Sequence, residues 1–194
     1  MYERFLEQNT GCTRQTVHDA FLAKYADTVP KELIALWQEV GLGIFCNGLF
    51  RVINPADYQE FVDEYFQREY NEGAIPFMVT AFGDLFVYVN NHIVGDYVIY
   101  INVRYGTDKI LSNNIALLLN KYVFNESTLK AWFKVERYAE IKDKVGLPQL
   151  DECLGYVPAL ALGGTENDEH IQILKTVPYI EIIAQSIGEF ERIR

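Results

Sequence analysis

The run Ile75-Pro76-Phe77-Met78-Val79-Thr80-Ala81-Phe82-Gly83-Asp84-Leu85-Phe86-Val87-Tyr88-Val89, continued through Asn90-Asn91-His92 to Asp96-Tyr97-Val98-Ile99-Tyr100-Ile101-Asn102-Val103-Arg104-Tyr105-Gly106, decides the fold. It is dense in Val, Ile, Tyr and Phe, which suit a pleated surface. Turn residues interrupt it only at Gly83-Asp84, Asn90-Asn91, Gly95-Asp96 and Gly106. That pattern predicts three consecutive antiparallel strands, a meander over about residues 77–105. In the last segment Tyr97, Ile99, Ile101 and Val103 alternate with Val98, Tyr100, Asn102 and Arg104. The second set turns polar toward its end, so one face is expected to be buried and the other to reach water. The flanking sequence reads as helices. The expected class is α+β, a central and mostly antiparallel sheet covered by N- and C-terminal helices.

A chain of 194 residues with 49% hydrophobic and 14% aromatic content can build a packed core. No apolar stretch reaches the roughly 18 residues of a membrane span. The opening Met1-Tyr2-Glu3-Arg4-Phe5 has no basic head before an apolar run, so no secretory leader is read there. Cys12, Cys46 and Cys153 are odd in number and widely spaced, which is no disulfide framework and fits a reducing cytoplasm. The net charge of −10 argues against direct nucleic-acid binding, which rests on Lys and Arg at phosphates. It suits either a basic partner or plain solubility.

Working outward, Val17, Phe21, Leu22 and Tyr25 repeat at helical spacing. A helix is expected from Pro30, in its first turn, to Gly41 as its stop, with Leu33, Leu36, Trp37 and Val40 on one face. Leu42 to Ile53 reads as a turn into a short strand. Asn54 caps a helix with Pro55 at its start and an aromatic face of Tyr58, Phe61, Tyr65 and Phe66, running to about Tyr70 and closed by Asn71-Glu72-Gly73. Beyond the meander, helices are expected over 110–122, with Ser112 as cap, and over about 127–145. A buried strand follows around 154–164 with Pro158 at an edge or bulge, then an acidic loop, a strand at 171–174 and a helix over 178–187.

No catalytic constellation emerges. His18, His92 and His170 lack partners at zinc-ligand spacing, and the loop Glu166–His170 lacks the pattern of a calcium loop. Ser112, Ser127 and Ser186 read as cap or helix-surface residues, with no G-x-S-x-G. Cys46 reads as inert core in an apolar strand. Gly163-Gly164-Thr165 has no Lys to cradle phosphate. The neighbours Asp63-Glu64 and Asp151-Glu152 are expected to diverge. Asp84, the carboxylate inside the core run, reads as a turn residue bonding local backbone, with a functional carboxylate as the alternative. No metal or cofactor is called. Thirteen Tyr and twelve Phe suit either an aromatic core or a binding surface.

Three stretches together resemble a known family. Leu33–Gly43 with its Leu36-Trp37 and Gly41-Leu42-Gly43, then Gly48-Leu49-Phe50 and Asn54-Pro55-Ala56-Asp57-Tyr58, resembles the GAD-like domain. Thr80–Phe86 and Val103–Gly106 look like its continuation. Tyr156-Val157-Pro158-Ala159-Leu160-Ala161-Leu162-Gly163-Gly164, with Ala184-Gln185 downstream, is similar to the C-terminal domain that accompanies it in type VI secretion DNase-immunity proteins. The broader SMI1/KNR4-like immunity proteins share the first pattern. The resemblance implies a GAD-like domain over residues 1–106 and an immunity-protein C-terminal domain over 107–194, packed as one unit. It implies a cytoplasmic, non-enzymatic protein that binds and neutralises a co-encoded toxin, a nuclease. The alternative is an SMI1/KNR4-like regulatory or scaffold protein with an endogenous partner. The family contributes no catalytic or metal residues, and its matching positions, Trp37, Gly41, Gly43, Gly83, Asp84, Pro158, Gly163 and Gly164, read as scaffold. Charge complementarity nominates Glu60, Asp63, Glu64, Glu69 and Glu72, with Glu166, Asp168 and Glu169, as the toxin-binding surface.

Overall fold

Both alternating sets of the central run are buried. Phe86, Tyr88, Val98 and Tyr100 enter one core, and Leu85, Val87, Ile99 and Ile101 enter another on the opposite face. The sheet is therefore a middle layer, and the expected wet face is covered instead. The polar end of that set misled the periodicity: Arg104 is buried because a carboxylate meets it there.

The computed structural model describes residues 1–66 and 71–193, with Asn71 and Glu72 described in their backbone only. In chain order come α1 (Glu3–Glu7), β1 (Arg14–Gln15), α2 (Asp19–Tyr25) and α3 (Lys31–Glu39). Then follow β2 (Leu42–Phe45), β3 (Phe50–Val52), α4 (Gln59–Tyr65), β4 (Asn71–Thr80), β5 (Leu85–Asn91) and β6 (Tyr97–Asn102). The second half holds β7 (Thr107–Ser112), α5 (Ile115–Asn120), α6 (Glu126–Ala131), α7 (Val135–Val145) and β8 (Glu152–Tyr156). It ends with β9 (Ile171–Lys175), α8 (Thr176–Ile187) and β10 (Glu191–Arg192). Strands β1 to β7 stand side by side in sequence order, each antiparallel to the last, and β10 joins β7 in parallel. β8 and β9 form a separate antiparallel pair. Helices α1, α2, α3, α5, α6 and α7 bury residues against one face, and α4 with α8 covers the other.

The expected meander is present, and several boundaries move. Residues 110–112, expected to open a helix, instead end the strand β7 (Thr107–Ser112). Gly106 (φ +66°) turns the chain back, and β7 satisfies the open edge of β6 before Asn114, not Ser112, caps α5. The helix expected over 127–145 breaks at Lys134 (φ +52°). The break sends Phe133 into a ring cluster with Phe50, Phe86 and Tyr100, at centroid separations of 5.0, 5.5 and 5.4 Å. This cluster shows where part of the aromatic excess goes. Pro30 stands at the N-cap of α3 rather than inside its first turn. Residues 42–52 make two strands, β2 and β3, joined by a short 3-10 turn that contains Cys46, so that cysteine is not in a strand. The helix after Asn54 is a 3-10 turn followed by α4; its expected end, residues 67–70, lies outside the described residues, and the chain is already strand at Asn71. The strand expected over 154–164 ends at Tyr156, so Pro158 falls beyond it in a turn.

The later half is tied into the sheet by named bonds. Leu154 donates its backbone N–H to Ala81 at 2.7 Å, and the Tyr138 hydroxyl donates to Asn47 O at 2.7 Å. Arg51, fully buried on β3, gives Nε to Gln149 O at 3.1 Å and Nη2 to Pro148 O at 3.2 Å. A guanidinium that reaches no water is thus used to pin the 148–149 segment, which no alternation pattern signals.

Candidate functional site

The acidic face nominated on the helix after Asn54 lies on the outer side of α4, and α8 packs beside it. Asn54 starts this segment: its Oδ1 accepts from Ala56 N at 3.1 Å, and Pro55 opens the 3-10 turn. Phe61 and Val62 point into the core, which leaves Glu60, Asp63 and Glu64 exposed. Gln59 Nε2 donates to Asp63 Oδ1 and to Ala74 O, each at 2.8 Å, and so fastens the helix to β4. α8 packs beside α4 through Ile180, Ile183 and Ala184, with Ile182 59% exposed on its outer side. Gln185 hydrogen-bonds the Tyr65 hydroxyl, while burial and the negative Glu64 and Glu181 hold its proton more tightly, raising its pKa overall. Carboxylates from two helices thus act on one group. Neither α4 nor α8 contains a lysine or arginine. The sequence reading missed Glu181, because nothing local says that 181 meets 64.

The second acidic cluster is built differently. Asp168 accepts from Arg137 and Lys144 of α7, and the Lys144 hydrogen bond, with Arg137 behind it, holds its carboxyl below the usual range. Glu166 accepts from the Tyr105 hydroxyl, and its backbone oxygen accepts from Arg137 Nη2 at 3.3 Å. Glu169 is exposed, its N–H held by Asn167 Oδ1 at 3.1 Å. Glu69 and the side chain of Glu72 lie outside the described residues.

A groove of about 640 Å³ opens where the 54–58 turn meets the start of α8 and the β1–β2 edge. Ile53, Tyr58, Leu150 and Val177 line it, with Asp57, Asp151 and Lys175 at its polar margin. Lys175 Nζ lies 2.7 Å from Asp151 Oδ2 and 3.3 Å from Glu152 Oε1. The two neighbouring carboxylates therefore converge on one cation, contrary to the expected divergence. Burial raises the Asp57 carboxyl above its ordinary range.

The family-motif positions lie within the scaffold. Trp37 is fully buried, with Phe21 and Tyr25 rings 5.1 Å away. A side chain at Gly41 would meet Gln15 O at 2.3 Å, and one at Gly43 would meet Thr13 O at 2.4 Å, so both allow β1 to cross closely. Gly83 turns β4 into β5 ahead of Asp84. Asp84 does not serve its local turn backbone as expected; its carboxylate reaches Tyr100 and Arg104. Pro158, Gly163 and Gly164 shape the turn after β8, where the Gly164 N–H donates to Ala159 O at 3.0 Å. Among the described residues, no group of three or more His, Cys, Asp or Glu is placed to hold a metal ion. Burial pushes the thiols of Cys46 and Cys153 up to about 12, which leaves them as thiols near neutral pH. No described helix is long and apolar enough to cross a membrane.

The crystal structure of Atu4351 from Agrobacterium tumefaciens matches over 96% of this chain and 89% of its own, with a TM-score of 0.76. At 18% identity that likeness shows a shared fold. No curated protein matches the chain. The family model of the C-terminal domain of the type VI secretion immunity protein Tdi1 matches residues 112–186. The family model of the GAD-like domain matches residues 1–102, more than half of the 194, and this chain belongs to the GAD-like family, with a Tdi1-type immunity domain behind it.

Proposed function

We propose that this protein is an immunity protein that binds and neutralises a co-encoded type VI secretion toxin, a DNase, by covering its active or DNA-binding surface. The observation that carries the reading is the Tdi1-type C-terminal match directly behind a GAD-like domain. The electrostatics support it. A nuclease domain needs Lys and Arg to hold phosphates. A chain of net charge −10, with an acidic helical face at α4 and α8, complements such a surface and speeds its capture. Residues 1–106 and 107–194 act as one unit in this reading, a view supported by β7 and β10 completing the sheet of the first segment. The protein works by binding rather than by turnover, in the cytoplasm where the toxin would otherwise reach the producing cell's DNA.

The test is co-expression of the tagged chain with the product of the adjacent reading frame, followed by a DNA-cleavage assay on the purified material. A stoichiometric complex that leaves DNA intact is expected. An adjacent nuclease that stays active in the presence of excess protein overturns the reading.

A further inference from the structure

The groove beside Asp57 has a composition that selects its occupant. Its walls are aliphatic and aromatic: Ile53 and Tyr58 come from the turn after β3, Leu150 from the segment before β8, and Val177 from the first turn of α8. Its volume of about 640 Å³ admits a long side chain. At its margin Lys175 is already held by Asp151 and Glu152. Asp57 differs. It is exposed at the margin, and its backbone N–H donates to Asn54 O at 3.1 Å, yet among the described residues no donor meets its carboxylate. An exposed carboxylate with no cation among the described residues, set beside apolar walls, suits a long cationic side chain with its stem on the walls and its head on the carboxylate. Asp57 also continues directly into α4, so the groove adjoins the acidic face.

We infer that this groove receives an arginine or lysine side chain from the DNA-binding surface of the toxin, with its head group on Asp57. The inference rests on the immunity reading above and deepens it, because it names the class of toxin group that anchors the complex. A basic side chain lost to this groove is one the nuclease no longer offers to phosphate.

The experiment measures affinity and its salt dependence between the full chain and the nuclease domain encoded beside it. Three variants are compared with wild type: Asp57→Asn, Val177→Trp, which obstructs the groove from its wall, and Glu7→Gln, an equal change of charge on α1 against the opposite core. Unfolding midpoints confirm that each variant is folded. The expected result is a loss of about tenfold or more for Asp57→Asn with a flatter salt dependence. Val177→Trp should weaken binding at every salt concentration, and Glu7→Gln should bind as wild type. A folded Asp57→Asn that binds with wild-type affinity and salt dependence overturns the groove assignment while leaving the immunity reading intact. Failure of the wild-type chain to bind the nuclease overturns both.

Discussion

Arg104 Nη2 lies 2.6 Å from Asp84 Oδ2, with the two side chains only 3% and 0% exposed. The same carboxylate accepts from Arg104 Nε at 2.9 Å, Arg104 N at 3.3 Å and the Tyr100 hydroxyl at 2.7 Å. The guanidinium also stands 4.2 Å from the centre of the Phe82 ring. Burial acts to lower the Arg104 pKa, but Asp84 outweighs it and the net shift is upward, so the arginine stays charged. Burial, reinforced by the negative Asp84, holds the Tyr100 proton in place. The network locks the β4–β5 turn to the end of β6, and every member depends on the others.

Removing one partner should therefore cost far more than removing both. Arg104→Met is expected to destabilise the fold by about 3–5 kcal/mol, since it strands a buried carboxylate. The double variant with Asp84→Leu should recover a large part of that loss. Urea unfolding of the two proteins reads the difference.

Two neighbouring aromatic residues make a second contrast. Phe133→Ala empties the centre of a four-ring cluster and should cost about 3–5 kcal/mol. Trp132 is only half-buried, stacked under Lys109 Nζ at 3.8 Å, and its truncation should cost roughly 1 kcal/mol. Comparable losses in thermal unfolding would refute this account of the break at Lys134.

The adjacent glycines of the turn after β8 should also differ. At Gly163 (φ +86°) a Cβ meets nothing within 4 Å, so alanine pays only the left-handed backbone cost of about 1–2 kcal/mol. At Gly164 a Cβ would lie 2.0 Å from Pro158 O, which forces the backbone apart. Gly164→Ala should be the more damaging in expression yield and melting temperature.

Acid should loosen the 165–170 loop. The hydrogen bond from Lys144, with that from Arg137, depresses the Asp168 carboxyl below its ordinary 3.8. The unfolded chain thus takes up this proton at higher pH than the folded one. The stabilisation is complete above 3.8 and is lost as pH falls below it. The difference in urea midpoint between wild type and Asp168→Asn should shrink as pH drops from about 6 to about 3. A difference that is flat over that range would mean the pairing contributes nothing.

On the toxin side, the two acidic clusters should behave unequally. Charge reversal at Glu60, Glu64 and Glu181 should slow association with a nuclease partner by about tenfold or more at low salt. Reversal at Glu166 and Glu169, beside the already paired Asp168, should change it less. Stopped-flow rates at several ionic strengths distinguish the two.

Much of the architecture follows from the sequence by itself, because strand alternation, turn residues and caps act over a few neighbours. Leu85–Val89, Tyr97–Ile101, the Asn54-Pro55 start and the helix with Leu33, Leu36 and Trp37 are examples. Family membership was also legible, carried by glycines and aromatic residues at turns and close approaches. Tertiary structure alone decided what depends on distant partners. Arg104 is a surface charge by pattern and a core charge once Asp84, twenty residues away, faces it. Residues 107–112 are strand because β6 leaves an edge to pair, and Phe133 breaks a helix because a ring cluster awaits it. Likewise Glu181 joins Glu64, and Lys175 gathers Asp151 and Glu152, only when the chain closes on itself. Local propensity is worth tenths of a kcal/mol per residue, whereas burying a charge or a ring is worth several, so the long-range contacts prevail wherever the two conflict.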